Sequence, residues 1–294
     1  MFTCNQIEVL SRIFSSKVFY NLTRLDFNLL QSLLLESKIK QESVDHTIKL
    51  GKFFDLVFEK LKTPGIRNEY IYKSAIAHKR LLGVHSLNTA VMLNEFRAGT
   101  SKADAVVLNG TSTVYEIKSE RDSLSRLATQ IADYQKLFSH VNVITSVEQV
   151  PAVLLSVPEH VGVLSLTNRY QISTVREASD YKDNLCVASI FNSLRREEAR
   201  TILENLGVEV PTVPNTQMFQ VMQQLSNNLD RIAVHDEMVK VLKASRSQAN
   251  LHEFVSSIPR SVQAAALSLS MKKKQQKNFI NTMNMPLHAV MDWR

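Results

Sequence analysis

A short charged stretch among apolar strand residues constrains this chain most. Lys102-Ala103-Asp104-Ala105-Val106-Val107-Leu108 runs into Asn109-Gly110, and Val114-Tyr115-Glu116-Ile117-Lys118-Ser119 follows. Apolar and β-branched residues on both sides of Asn-Gly read as two strands joined by a turn. Asp104 then sits at the mouth of the first strand. Glu116 and Lys118, two apart on the second, point to one face. Two carboxylates and an ammonium at the end of a buried hairpin are costly unless something binds there. A divalent metal and a phosphodiester meet that condition.

The chemistry fits those residue types. Phosphodiester cleavage needs in-line attack, charge neutralisation on the phosphate and a stabilised leaving oxygen, which one or two Mg²⁺ ions supply. Mg²⁺ takes oxygen ligands at about 2.0–2.1 Å. Asp104 and Glu116 offer carboxylates, and the Ile117 carbonyl offers a third donor. Lys118 would orient water, stabilise the pentavalent charge or act as a base. An acid, a gap and Glu-x-Lys is weak as a bare pattern. Its competing explanation is a surface ladder of Glu116, Lys118 and Glu120.

The surroundings give the pattern a setting. A helix is expected from Asn68, its N-cap, to Leu82-Gly83, with Glu69 in the first turn and Gly83 as a left-handed terminus. Val91 to Arg97 reads as a strand ahead of the hairpin. Asp122 is expected to cap a helix over 123–138, with Leu124, Leu127, Ile131, Tyr134 and Phe138 on its apolar side and Arg126 and Gln130 on another. Strands follow at Val141–Ile144 and Val161–Leu166, separated by a helix and continuing as a hairpin through Asn168 into Tyr170–Ile172. Three strands in a meander, then helix crossovers, make a mixed sheet flanked by helices.

Glu69, Asp104 and Glu116-Ile117-Lys118, in that order of elements, resemble the PD-(D/E)XK nuclease superfamily over residues 68–146. Asn94-Glu95-Phe96-Arg97, Ala103-Asp104, Tyr115 to Ser119 and Arg126-Leu127 further resemble a bacterial and phage group whose nuclease core precedes a helical region. The resemblance implies a restriction-endonuclease-like α/β fold: a mixed β-sheet core flanked by helices, with helical N-terminal and C-terminal additions. It implies that Asp104, Glu116 and Glu69 bind the metal, Mg²⁺ or Mn²⁺, and that Lys118 is the catalytic lysine. Gln130 and Tyr134 resemble the Gln-xxx-Tyr signature of RecB-like members, whose glutamine approaches the site; Tyr134 equally suits the core. The proline that names the family is Ala103 here. Glu95 rivals Glu69 for the additional acid.

The totals narrow the alternatives. The 294 residues carry a net charge of +7, compatible with a nucleic-acid partner. Seven glycines form no phosphate-binding loop, and no HExxH or GxSxG occurs. No apolar run reaches the roughly 20 residues that cross a membrane, and the start lacks a secretory pattern. Cys4 and Cys186 make no metal knuckle or disulfide framework. A cytoplasmic, non-membrane protein is expected.

Three regions are expected: a helical cap over 1–62, the nuclease-like core over 63–180 and helices over 181–294. A linker is read at Val210–Asn215, and the last region suits a helix-turn-helix-like module, a helical repeat or a lid. His235-Asp236-Glu237 reads as a surface cluster. The run Met271 to Lys277 suits either binding to phosphates or a solvated helix face. The leading expectation is a metal-dependent nuclease acting on DNA ahead of RNA, with a homodimer left open. The rivals are a non-catalytic nucleic-acid- or partner-binding protein on the same fold, and an interaction protein with no nucleic-acid role.

Overall fold

The computed structural model describes residues 2–39 and 47–290. In chain order, helices α1 (Cys4–Ser11), α2 (Ser16–Thr23), α3 (Asn28–Glu36), α4 (Leu50–Leu61) and α5 (Glu69–Ile76) come first. Strands β1 (Val91–Ala98), β2 (Ser101–Leu108) and β3 (Ser112–Lys118) follow, then α6 (Leu127–Tyr134), β4 (His140–Ser146), α7 (Val150–Ser156), β5 (Gly162–Leu166) and β6 (Ile172–Arg176). Helices α8 (Val187–Ser193), α9 (Arg196–Asn205), α10 (Asn215–Ser226) and α11 (Arg231–Ser245) continue the chain. Helices α12 (His252–Ser256), α13 (Gln263–Ser268), α14 (Lys273–Asn284) and α15 (Leu287–Val290) end it. No helix among the described residues is long and apolar enough to cross a membrane.

The chain divides into two compact units, residues 1–78 with 250–294, and residues 79–249. The N-terminal helices and the last of the C-terminal helices thus fall in one unit. The backbone shows how: Leu50 N–H donates to the Met285 carbonyl at 2.8 Å, and Leu287 N–H to the Ile48 carbonyl at 2.8 Å. Burial of aromatic rings closes this helical unit. Phe14 meets Phe54 at 5.4 Å and Tyr70 at 4.7 Å between ring centroids, and Phe19 meets Phe279 at 6.0 Å. The first turn of α5 is capped as its sequence requires, Asn68 accepting the Ile71 N–H at 3.3 Å.

The second unit is a six-stranded mixed sheet in the order β1-β2-β3-β4-β5-β6. Pairing is antiparallel from β1 to β3, parallel through β4 and β5, and antiparallel again at β6. The meander needs tight turns, and glycine provides them. Gly99 (φ +59°) opens the two-residue loop of the first hairpin and Gly110 (φ +119°) lies in the second. Parallel pairing of β3 with β4 demands a crossover, which α6 makes. Val106, Val114, Val143 and Val163 from the sheet pack in one core with Leu127, Ile131 and Tyr134 of α6 and Met238 and Leu242 of α11.

Local expectations fail in three places. Gly83 is not left-handed; the chain leaves α5 through a π-turn over Ala77–Leu81 instead. Asp122 caps no helix. It accepts the Ser119 N–H at 2.7 Å and the Ser119 hydroxyl at 2.6 Å, closing a tight turn, and α6 starts only at Leu127. His235 is not on the surface: it is 1% exposed, on the face of α11 that enters the core.

Candidate active site at the parting of the sheet

Strand register builds the site. β2 and β3 pair from Leu108↔Ser112 only to Ala105↔Tyr115. Beyond that point β2 stays with β1 as far as Ala98↔Ser101, while β3 stays with β4 as far as Lys118↔Thr145. The sheet therefore parts between β2 and β3, leaving the Ile117 N–H without a strand partner. Asp104 fills the gap: its Oδ2 accepts that N–H at 2.7 Å.

On β3, Glu116 is 2% exposed and Lys118 7%. That burial rules out the solvated ladder. Lys118 Nζ lies 3.0 Å from Glu116 Oε1 and donates to Gln130 Oε1 at 2.8 Å. Gln130 in turn donates from Nε2 to Glu116 Oε1 at 2.5 Å. The Tyr134 hydroxyl sits 2.6 Å from Glu116 Oε2 and 3.0 Å from the Lys102 carbonyl. Burial first, and then the Glu116 charge, push the Tyr134 phenol well above its usual range, so it remains a donor. Gln130 and Tyr134, one turn apart on α6, thus both address Glu116. The core and site explanations of Tyr134 hold together, since its ring is buried while its hydroxyl reaches the carboxylate.

Two further interactions hold this frame, and neither is legible as a motif. The Thr145 hydroxyl donates to the Lys118 carbonyl at 2.8 Å, pinning the end of β3. Asp133 fixes α6 over the first hairpin by accepting the Thr100 N–H and the hydroxyls of Thr100 and Ser101 at 2.8–3.2 Å. Burial works against the Asp133 charge, but the hydrogen bonds from Ser101 and Thr100, with Lys136 nearby, hold its carboxyl below the usual range. The partners lie 27 residues apart in the first case and 33 in the Asp133–Thr100 case, so no local spacing announces them.

Glu95, on β1, adopts φ +54°. Such a backbone costs a non-glycine residue on the order of 1–3 kcal/mol and tends to collect at functional sites. A carboxylate oxygen of Glu95 lies within 4.8 Å of one from Asp104. Lys102 Nζ stands 3.3 Å from Glu95. Glu69 belongs to the helical unit, in the first turn of α5, where it pairs with Lys73 at 2.8 Å. Within the sheet unit, then, Glu116, Lys118 and Gln130 form one hydrogen-bonded group, and Asp104 sits against the same stretch of β3.

This fold and site define a class: a mixed-sheet α/β protein with a buried lysine–carboxylate group where the sheet parts. Residues 63–271 match the family described as "Bacteriophage P4 protein cII", and the chain belongs to that family. A curated relative, "Protein cII" of Enterobacteria phage P4, is 24% identical over 220 residues, covering 71% of this chain and 76% of its own length. No solved structure matches the chain.

Proposed function

We propose that this chain is a metal-dependent nuclease with a PD-(D/E)XK-type site, hydrolysing phosphodiester bonds of DNA ahead of RNA. The observation that carries the reading is the parting of β2 from β3, which sets Asp104 beside a β3 segment bearing Glu116 and the buried Lys118. The donors at hand are carboxylate and carbonyl oxygens, the set that suits Mg²⁺ or Mn²⁺. Carboxylate oxygens of Glu95 and Asp104 within 4.8 Å of each other need only a small shift to share one such ion. In this reading Asp104 and Glu116 are the principal ligands, with Glu95 or Glu69 as the additional acid. When bound, the ion supplies Lewis-acid charge neutralisation on the phosphate. Lys118 supplies a fixed positive charge, held by Gln130, to orient water or stabilise the charge that develops on the phosphoryl oxygens.

One observation favours the second reading, a non-catalytic nucleic-acid- or partner-binding protein. Both oxygens of Glu116 already accept or pair, with Gln130 and Lys118 on one and Tyr134 on the other. The test is to offer purified protein duplex, single-stranded and branched DNA and RNA with Mg²⁺ or Mn²⁺. Cleavage that EDTA abolishes supports the nuclease. Salt-sensitive binding with no cleavage of any of these supports the second reading.

A further inference from the structure

The charge of this chain is unevenly divided between its two units. Residues 79–249 hold 18 Lys and Arg against 18 Asp and Glu, whereas 1–78 with 250–294 hold 17 against 10. The sheet unit with the candidate site is therefore neutral, and the whole +7 resides in the helical unit. A unit with no net charge adds no net monopole attraction for a polyanion, whereas the helical unit supplies the whole of the chain's.

Six of the 17 lysines and arginines of the helical unit lie on two adjoining helices or at their caps, including its one run of three consecutive lysines, Lys272 to Lys274. Helix α14 turns Gln276, Phe279 and Met283 inward and leaves Lys273, Lys274 and Lys277 exposed, with Lys272 exposed at its N-cap. Asn278 of α14 donates to the Thr23 carbonyl at 3.1 Å, which docks α14 against the end of α2 beside Arg24. Lys17, Tyr20 and Arg24 are likewise exposed, at spacings that share one helix face. Arg12, Lys62 and Lys73 elsewhere in the unit have acidic partners at 2.6–2.8 Å. Among the described residues, Lys272, Lys273, Lys274, Lys277 and Lys17 have none, and neither do Lys52 and Lys60 of α4, which stand apart from one another on that helix. Lysines in a first turn also oppose the helix dipole, and no acid offsets them there.

We infer that this α2–α14 face grips the phosphate backbone of duplex DNA, independently of base sequence. The inference deepens the nuclease reading and rests on it only for the choice of DNA. Single strands are usually held by aromatic platforms. Phe279 of α14 is 1% exposed, and the one exposed aromatic ring of α2, Tyr20, is covered by the Arg24 guanidinium at 5.3 Å. A membrane-binding helix needs an apolar face to insert, and that of α14 is buried. Duplex DNA, with its dense phosphate charge, suits lysines that offer nothing else.

The test is anisotropy of a short labelled duplex over a salt series, with the full chain and EDTA present so that nothing is cleaved. Replacing Lys272, Lys273, Lys274 and Lys277 together by Gln should reduce the slope of log affinity against log salt by about 3 to 4, at roughly 0.9 for each phosphate no longer neutralised. Lys17→Gln with Arg24→Gln, on the neighbouring helix, should reduce it by about 2. Melting temperatures within a degree or so of the parent show that the effect is on binding. Unchanged slopes in both variants overturn the inference. So does tighter binding to single-stranded DNA, or to phosphatidylserine–phosphatidylcholine vesicles, than to duplex. Reduced slopes in a protein that cleaves nothing would sink the nuclease reading and leave the grip standing. Cleavage with unchanged slopes would do the reverse.

Discussion

Asp104 stands in for a strand partner of Ile117, its carboxylate taking the Ile117 N–H at 2.7 Å where β2 and β3 cease to pair. One side chain thus has two separable duties, to satisfy a backbone donor and to present negative charge. Asp104→Asn retains an oxygen that can accept the N–H and loses the charge. Asp104→Ala loses both. The expected outcome is that both variants lose metal-dependent cleavage, while only the alanine form loses stability, by about 1–3 kcal/mol for the orphaned donor. Denaturant melts beside cleavage assays measure this. Full cleavage by the asparagine form would remove Asp104 from the metal site.

Glu116 and Lys118 are buried together at 3.0 Å, so neither can be removed without stranding the other. Truncating one member of a buried pair typically costs about 3–5 kcal/mol, while replacing both by neutral groups costs much less. Glu116→Gln and Lys118→Met should each lower stability substantially, and the double variant should recover much of the loss. None of the three should cleave. The recovery of folding without activity separates a catalytic pair from a merely structural one.

The sequence offers two candidates for the additional acid. Glu95 is held at φ +54° on β1 with an oxygen near Asp104, and Glu69 opens α5 and pairs with Lys73. If Glu95 is the ligand, Glu95→Gln should raise the Mg²⁺ concentration needed for half-maximal cleavage by roughly tenfold, about 1.4 kcal/mol. Glu69→Gln should then leave it unchanged. Glu95→Gly offers a second check, since glycine relieves the backbone strain and should stabilise the fold while weakening metal use. An effect of Glu69→Gln alone would reverse the assignment.

The sheet was legible because its signals are local. Short apolar and β-branched runs marked β1 to β5, and Asn109-Gly110 marked the hairpin turn, with a φ of +119° at Gly110. Glu116 and Lys118 share a face by strand geometry alone. A buried hairpin was legible from its apolar residues, but what covers the pair was not, because it depends on α6 being laid across the sheet by Asp133, whose partners Thr100 and Ser101 lie far off in sequence. The closing of both chain ends into one unit was missed for the same reason. Lys49 and Pro286 meet in a single isolated bridge, with no periodicity on either side to announce it. His235 was misjudged because adjacent polar residues on a helix look solvated until the packing face is known.

That histidine makes stability pH-dependent near neutrality. His235 Nε2 lies 2.7 Å from the Ser112 hydroxyl, and Nδ1 lies 2.8 Å from Asp236 Oδ1. With the neutral ring, Nδ1–H donates to Asp236 and Nε2 accepts from Ser112, which satisfies both ring nitrogens. Burial pulls the His235 pKa below its ordinary 6.5, and the Asp236 charge only partly restores it. The folded state therefore resists a proton that the unfolded chain accepts. Stability from this group is complete above about pH 6.5 and falls as pH drops toward the lowered folded value. Denaturant melts between about pH 8 and 5 should show a declining midpoint across that window. His235→Gln, which has no charge to gain, should start lower at the alkaline end and decline less. A variant that declines as steeply as the parent would place the titrating group elsewhere.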